Sequence, residues 1–154
     1  MLDRILPRRL DNDYRGRRLA LWLFVPVVVM KTGIALATIF NGRMAAQSAD
    51  GLPLARFGAA GAEAVVALFA LWGVAQLVIM VFGVLAITRY RAMVPLMYVL
   101  LLLDWLGRKA VVLAMPIART GAGPGQYVNL ALLALTIVGL ALSVWKRADA
   151  PAHE

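Results

Sequence analysis

Lys31 and Asp104 each interrupt a long apolar run, and Arg108 follows Asp104 by four residues. An ammonium, a carboxylate and a guanidinium held together can neutralise one another, pass a proton or hold an ion. A charge at the centre of a bilayer costs roughly 2.5–3.5 kcal/mol on the insertion scale. Leu, Ile, Val and Phe each return only about 0.3–0.6 kcal/mol there. An apolar helix can therefore carry such a charge, but insertion alone does not explain its presence.

Spacing predicts that these groups meet. Lys31 lies thirteen residues after Arg18, and Asp104 lies thirteen after Arg91. On a helix each is then about 20 Å from its basic anchor. Gln76 is thirteen residues from both Glu63 and Arg89, and Thr136 is ten from both Gln126 and Lys146. The expectation is an interior polar layer of Lys31, Gln76, Asp104 and Thr136, centred on a Lys31–Asp104 ion pair, because neither charge faces lipid cheaply. Arg108 shares a helix face with Asp104 and competes for it. Arg108 and Lys109 stand nearer the outer surface, where either could snorkel. If Asp104 bridges Lys31 and Arg108, the cluster carries an excess positive charge and could hold an anion. The alternatives are a closed salt bridge that sets helix register and a proton relay.

The other patterned residues point to packing. Asn129, Thr136 and Ser143 recur every seven residues, with Gly139 on the same side, as a small polar stripe suited to helix contact. Gly73, Gln76, Met80 and Gly83 form a looser version. Pro26 precedes Lys31 by five residues and removes one backbone hydrogen bond. Trp22, Tyr90, Tyr127 and Trp145 fall near span boundaries and read as interfacial anchors. Trp105 does not fit that role; core packing and pocket lining both remain open.

The elements that must position these residues follow from composition. The chain has 154 residues, 62% hydrophobic and 16% charged, with a mean hydropathy of +0.80. Soluble domains run at about 45–50% apolar and about 25% charged. We therefore read an all-α polytopic membrane protein, a four-helix transmembrane bundle forming a single domain. The spans are expected over residues 19–40, 64–87, 93–118 and 127–145. They are flanked by a basic tail (1–18), an outer loop (41–63) and a terminal tail (146–154). The long apolar run and long basic segment before it favour a retained first span over a cleaved signal peptide. The outer loop reads as an ordinary surface loop.

Orientation follows from Lys and Arg. Arg4, Arg8, Arg9, Arg15, Arg17, Arg18, Arg89, Arg91, Lys146 and Arg147 fall on one side, and Arg43, Arg56 and Arg119 on the other. Ten against three places both termini in the cytoplasm, and compactness points to a bacterial inner membrane. The net charge of +8 is then a topology signal and not a nucleic-acid footprint. Leu2, Ile5, Leu6 and Leu10 could lay the tail on anionic lipid, but a solvated tail is preferred, since Pro7 and Gly16 limit a long helix.

Several chemistries are absent. His153 is the only histidine and there is no cysteine, which removes a bis-His haem within one chain, thiol exchange and the usual zinc ligands. No metal or cofactor is expected. Asp104 is the only carboxylate well inside a span, so paired-carboxylate catalysis has no second member. No nucleotide-binding fingerprint occurs. The layout loosely resembles DoxX-type four-helix membrane proteins, with Glu63 opening the second span and Arg89 closing it; the resemblance implies architecture only. A non-catalytic accessory or binding protein is expected, partnered by the bilayer and by a second copy or another membrane protein. The alternatives are a small oligomeric proton- or ion-coupled transporter using Asp104 and Lys31, and a lipid-headgroup enzyme using Arg108, Lys109 and Arg119.

Overall fold

The computed structural model describes residues 5–7, 11–14, 16–116, 119, 121 and 123–145. Arg4, Arg8, Arg9, Arg15, Lys146, Arg147 and His153, on which parts of the tail readings rest, lie outside the described residues, as do Leu2 and Leu10. Among the described residues all regular structure is helical. Four long helices follow one another: α1 (Arg18–Phe40), α2 (Ala59–Thr88), α3 (Val94–Ala114) and α4 (Pro124–Val144).

Three of these, α1, α2 and α4, are long and apolar enough to cross a membrane. The helix left out is α3, although its 21 residues match α4 in length. The reason is charge: Asp104, Arg108 and Lys109 all fall inside it.

The helix ends differ from the expected boundaries for local reasons. Helix α2 begins five residues early, directly after the Phe57-Gly58 break, so Glu63 lies on its exposed flank and does not open it. Helix α3 stops at Ala114, because Pro116 disfavours helix in the residue before it. Helix α4 starts at Pro124, whose missing N–H costs nothing in a first turn. Pro26 is accommodated inside α1 without ending it.

α1 is the central element. It packs along α2 and against α4, and α3 packs mainly on α4, while α2 and α3 share few contacts despite being joined by residues 89–93. The apolar core is concentrated at the end where α1 starts, here the tail end. Phe24, Val27, Val28, Met80, Val94, Met97, Tyr98 and Leu101 are all buried there. Phe24 meets Tyr98 edge-on, with ring centroids 4.9 Å apart. The Tyr98 hydroxyl donates to the Ala20 carbonyl at 2.7 Å. Gly139 makes this approach feasible, since a Cβ there would run into the Tyr98 ring.

The segment before α1 is not simply solvated. Its backbone bonds both neighbours across the tail end: Ala92 N donates to Asp11 O at 3.3 Å, and Arg17 N to Leu142 O at 3.4 Å. Arg17 also stacks its guanidinium 5.3 Å from the Trp145 ring. Tyr14 is packed inward, and burial pushes its hydroxyl pKa up to about 12.

At the opposite, loop end, residues 41–58 form a cap and not a loose surface loop. Ala46, Leu52 and Leu54 are buried with Ala62 of α2 in a second apolar cluster. The chain turns there through Gly42–Met44, a π-helical turn at Ala45–Ala49 and a 3-10 turn at Leu54–Arg56. Gly51 has φ of 71° and lies against Gly121, where a Cβ would come within 2.8 Å of the Gly121 carbonyl. Only glycine adopts this conformation at no steric cost. The cap is thereby tied to the connection between α3 and α4. Asp50 sits in it half-buried, and burial raises its pKa above the ordinary value of 3.8, against the pull of Arg119 and Arg108.

Candidate functional site: an ionic cluster between the helices

Three helices deliver side chains to one carboxylate. Gln76 Nε2 of α2 donates to Asp104 Oδ1 at 2.9 Å. Arg108 Nη2, one turn along α3, stands 3.1 Å from Asp104 Oδ2. Lys31 Nζ of α1 lies 3.7 Å from the same oxygen. The Lys31 and Asp104 side chains are only 11% and 16% exposed, so these are interior charges. Arg108 is held further by its Nε, which donates to the Asp104 backbone carbonyl at 3.4 Å. Its guanidinium also lies 5.2 Å from the Trp72 ring centre, within cation–π range.

The cluster is electrically close but incompletely hydrogen-bonded. Asp104 Oδ2 and Arg108 Nη2 are both buried, and although near in space they do not align as donor and acceptor. Lys31 Nζ is beyond hydrogen-bond distance of Asp104 Oδ2. Beside these groups lies a cleft of about 30 Å³, lined by Lys31, Trp72, Gln76, Arg108 and Asn129 with the small α1 residues Ala35 and Thr38. That is room for one or two waters. A smaller cavity of about 10 Å³ lies on the α4 side of Lys31, bordered by Trp105, Asn129 and Thr136.

The remaining sequence-selected residues take different places. Thr136 is buried, but its hydroxyl donates to Leu132 O of its own helix at 2.7 Å and not to the ions. Lys109 is exposed, on a different side of α3 from Asp104. Thr136, Gly139 and Ser143 form the buried line of α4 together with Leu132, and Asn129 is half-buried at its upper end. Asn129 borders both cavities, which its place in a packing stripe did not foretell. Trp105, left open by the sequence, borders the smaller one.

Trp72 was missed altogether. The available signal was its position four residues before Gln76, hence on the same helix face, and well inside α2 instead of at its end. Trp22, Tyr127 and Trp145 are all largely exposed, as boundary aromatics would be.

Among the described residues no group of three or more His, Cys, Asp or Glu could hold a metal. The chemistry on offer is charge compensation, hydrogen-bond donation and ion binding. No protein-family model, curated protein or solved structure matches the chain. The site therefore stands on its geometry: one carboxylate ringed by donors from α1, α2 and α3.

Proposed function

We propose that this chain is a four-span membrane protein of non-catalytic accessory or binding type, with both termini cytoplasmic and a bacterial inner membrane as its setting. The observation that carries the reading is the convergence of Lys31, Gln76 and Arg108 on Asp104. In lipid there is little hydrophobic drive between helices, so packing and interhelical polar contacts must select the arrangement. A carboxylate bound by two other helices ties α3 to α1 and α2. The same contacts support α3 as the fourth span. Asp104 and Arg108 offset each other in the interior, and Lys109, five residues before the helix end, can extend its amine toward the surface.

A double-mutant cycle on Lys31 and Asp104 tests the tie. The wild type, Lys31→Ala, Asp104→Ala and the double variant are compared by unfolding in detergent micelles. Coupling is expected, with the double variant no less stable than the worse single one. Simple additivity overturns it. Orientation is tested by single cysteines, which are unique labels because the chain has none. Gln47→Cys should react with an impermeant maleimide in spheroplasts, and Asn12→Cys only after lysis.

A second reading is favoured by the cleft beside Lys31 and Arg108. In it the chain is a small oligomeric transporter coupled to a proton or ion through Asp104 and Lys31. Flux in proteoliposomes that is abolished by Asp104→Asn supports that reading over the first.

A further inference from the structure

We propose that the cleft among α1, α2, α3 and the start of α4 binds a small monovalent anion of halide type, held by Lys31, Arg108 and Asn129. The proposal rests on the cluster being the protein's binding site, and it adds the chemistry of the occupant.

The first support is charge. Two cations, Lys31 and Arg108, border the cleft, and one carboxylate, Asp104, faces both. Among the described residues no other charged side chain lines this cleft or the smaller cavity behind it. Asp50 reaches Arg108 electrostatically from the loop-end cap, but Asp50 also faces Arg119, so that pair adds no net charge. One positive charge is left over at a buried level, where isolated charge is costly. A monovalent anion cancels it.

The second support is the balance of donors and acceptors. Gln76 Nε2 already donates to Asp104, and the Thr38 hydroxyl to Ile34 O. The Lys31 ammonium carries three donors, yet its nearest carboxylate oxygen is 3.7 Å away. Arg108 Nη2 is buried without a hydrogen bond. Asn129 adds an amide at the cleft wall. Asp104 Oδ2 is an unfilled acceptor at the same place, but the open donors of Lys31, Arg108 and Asn129 outnumber it, so a further acceptor is missing.

The third support is size. About 30 Å³ holds a body of one or two waters. A halide matches a space of that size. Trp72 lies within cation–π range of the Arg108 guanidinium at the cleft wall.

The test is thermal unfolding of the full chain in detergent, in sodium chloride or bromide against sodium gluconate at equal ionic strength. Gluconate, a large polyhydroxy carboxylate, controls for ionic strength. A saturable rise in Tm with chloride and bromide, absent with gluconate, is expected. Arg108→Gln should abolish it. Asn129→Ala, which removes no charge, should raise the half-saturating concentration about tenfold, the equivalent of one lost hydrogen bond to a charged group. Asp104→Asn should act in the opposite sense and lower it, because the carboxylate that repels the anion is gone. A role for these residues in packing alone does not produce that opposite shift. Equal responses to chloride and gluconate, or a chloride response unchanged in Arg108→Gln and Asn129→Ala, overturn the proposal. If the anion response is absent while Lys31 and Asp104 remain coupled in the cycle, the cluster is a lock filled by water. If the response is present without coupling, the lock fails and the anion site stands.

Discussion

The two ends of the packed helices are held by different forces. Toward the tail end, large side chains interlock: Phe24, Met80, Met97, Tyr98 and Leu101 are each at most 1% exposed. Beyond the level of Lys31 this core ends. The buried residues of α1 and α2 there are small ones, Ala35, Thr38, Gly73 and Ala62. Helix α3 shows the change most clearly. All of its buried residues lie between Val94 and Leu101, while Val111 and Leu113 further along are 59% and 71% exposed. The ionic cluster sits where the close-packed half gives way to the open one. Dispersion fixes the first half through many small contacts. A few directed charge contacts fix α3 at the start of the second. A binding site needs space and unspent donors, and only the second half has both.

That contrast can be broken most severely at the cluster itself. Asp104→Ala leaves Lys31 and Arg108 without a counter-charge and should destabilise the protein by about 3–5 kcal/mol in micelle unfolding. A loss below about 1 kcal/mol would show that water already reaches both cations. In the close-packed half, Gly139→Ala drives a Cβ into the Tyr98 ring. An overpacking cost of about 1–3 kcal/mol is expected, read by the same unfolding assay. Tyr98→Phe keeps the ring and removes only the bond to Ala20 O, for a loss of about 1 kcal/mol. In the open half, Val111→Ala and Leu113→Ala should change stability by no more than about 0.5 kcal/mol, as at surface positions. Equal costs in both halves would erase the distinction.

The smallest expected effect is a pH dependence from the loop-end cap. Burial raises the Asp50 pKa in the folded state. The folded form therefore holds its proton more tightly than the unfolded chain. Stability from this group is fully present below pH 3.8 and is lost as pH rises through the folded value. Asp50→Asn should flatten the unfolding midpoint over that window. An unchanged slope would place Asp50 in water.

Much of the site was legible in the sequence because intramembrane charge is rare and depth along a helix can be counted. Equal offsets from Arg18 and Arg91 put Lys31 and Asp104 at one level, and the structure has them 3.7 Å apart. The four-residue spacing of Asp104 and Arg108 likewise requires only helical geometry. Thr136 was counted to a similar depth, yet its hydroxyl bonds Leu132 O. Depth says nothing about rotation about the helix axis or about competition from the helix's own carbonyls. Asn129 and Trp72 were not legible as lining residues, since a cleft is a property of several helices together. The loop-end cap escaped for a similar reason: Ala46, Leu52 and Leu54 form no periodic pattern and acquire a core only against α2.

By itself, the sequence determined the all-helical character, the apolar helices and the presence of three charges that must find company. These follow from composition and from the 1.5 Å rise per residue, which act locally along the chain. Only the tertiary structure decided that Asp104 is shared among Lys31, Gln76 and Arg108, and that α3 leaves the core after Leu101. It also decided that the leftover positive charge faces a cleft. Those outcomes depend on helix rotation and side-chain volume, such as Gly139 making way for Tyr98. Packing between helices sets both, and no single helix encodes them.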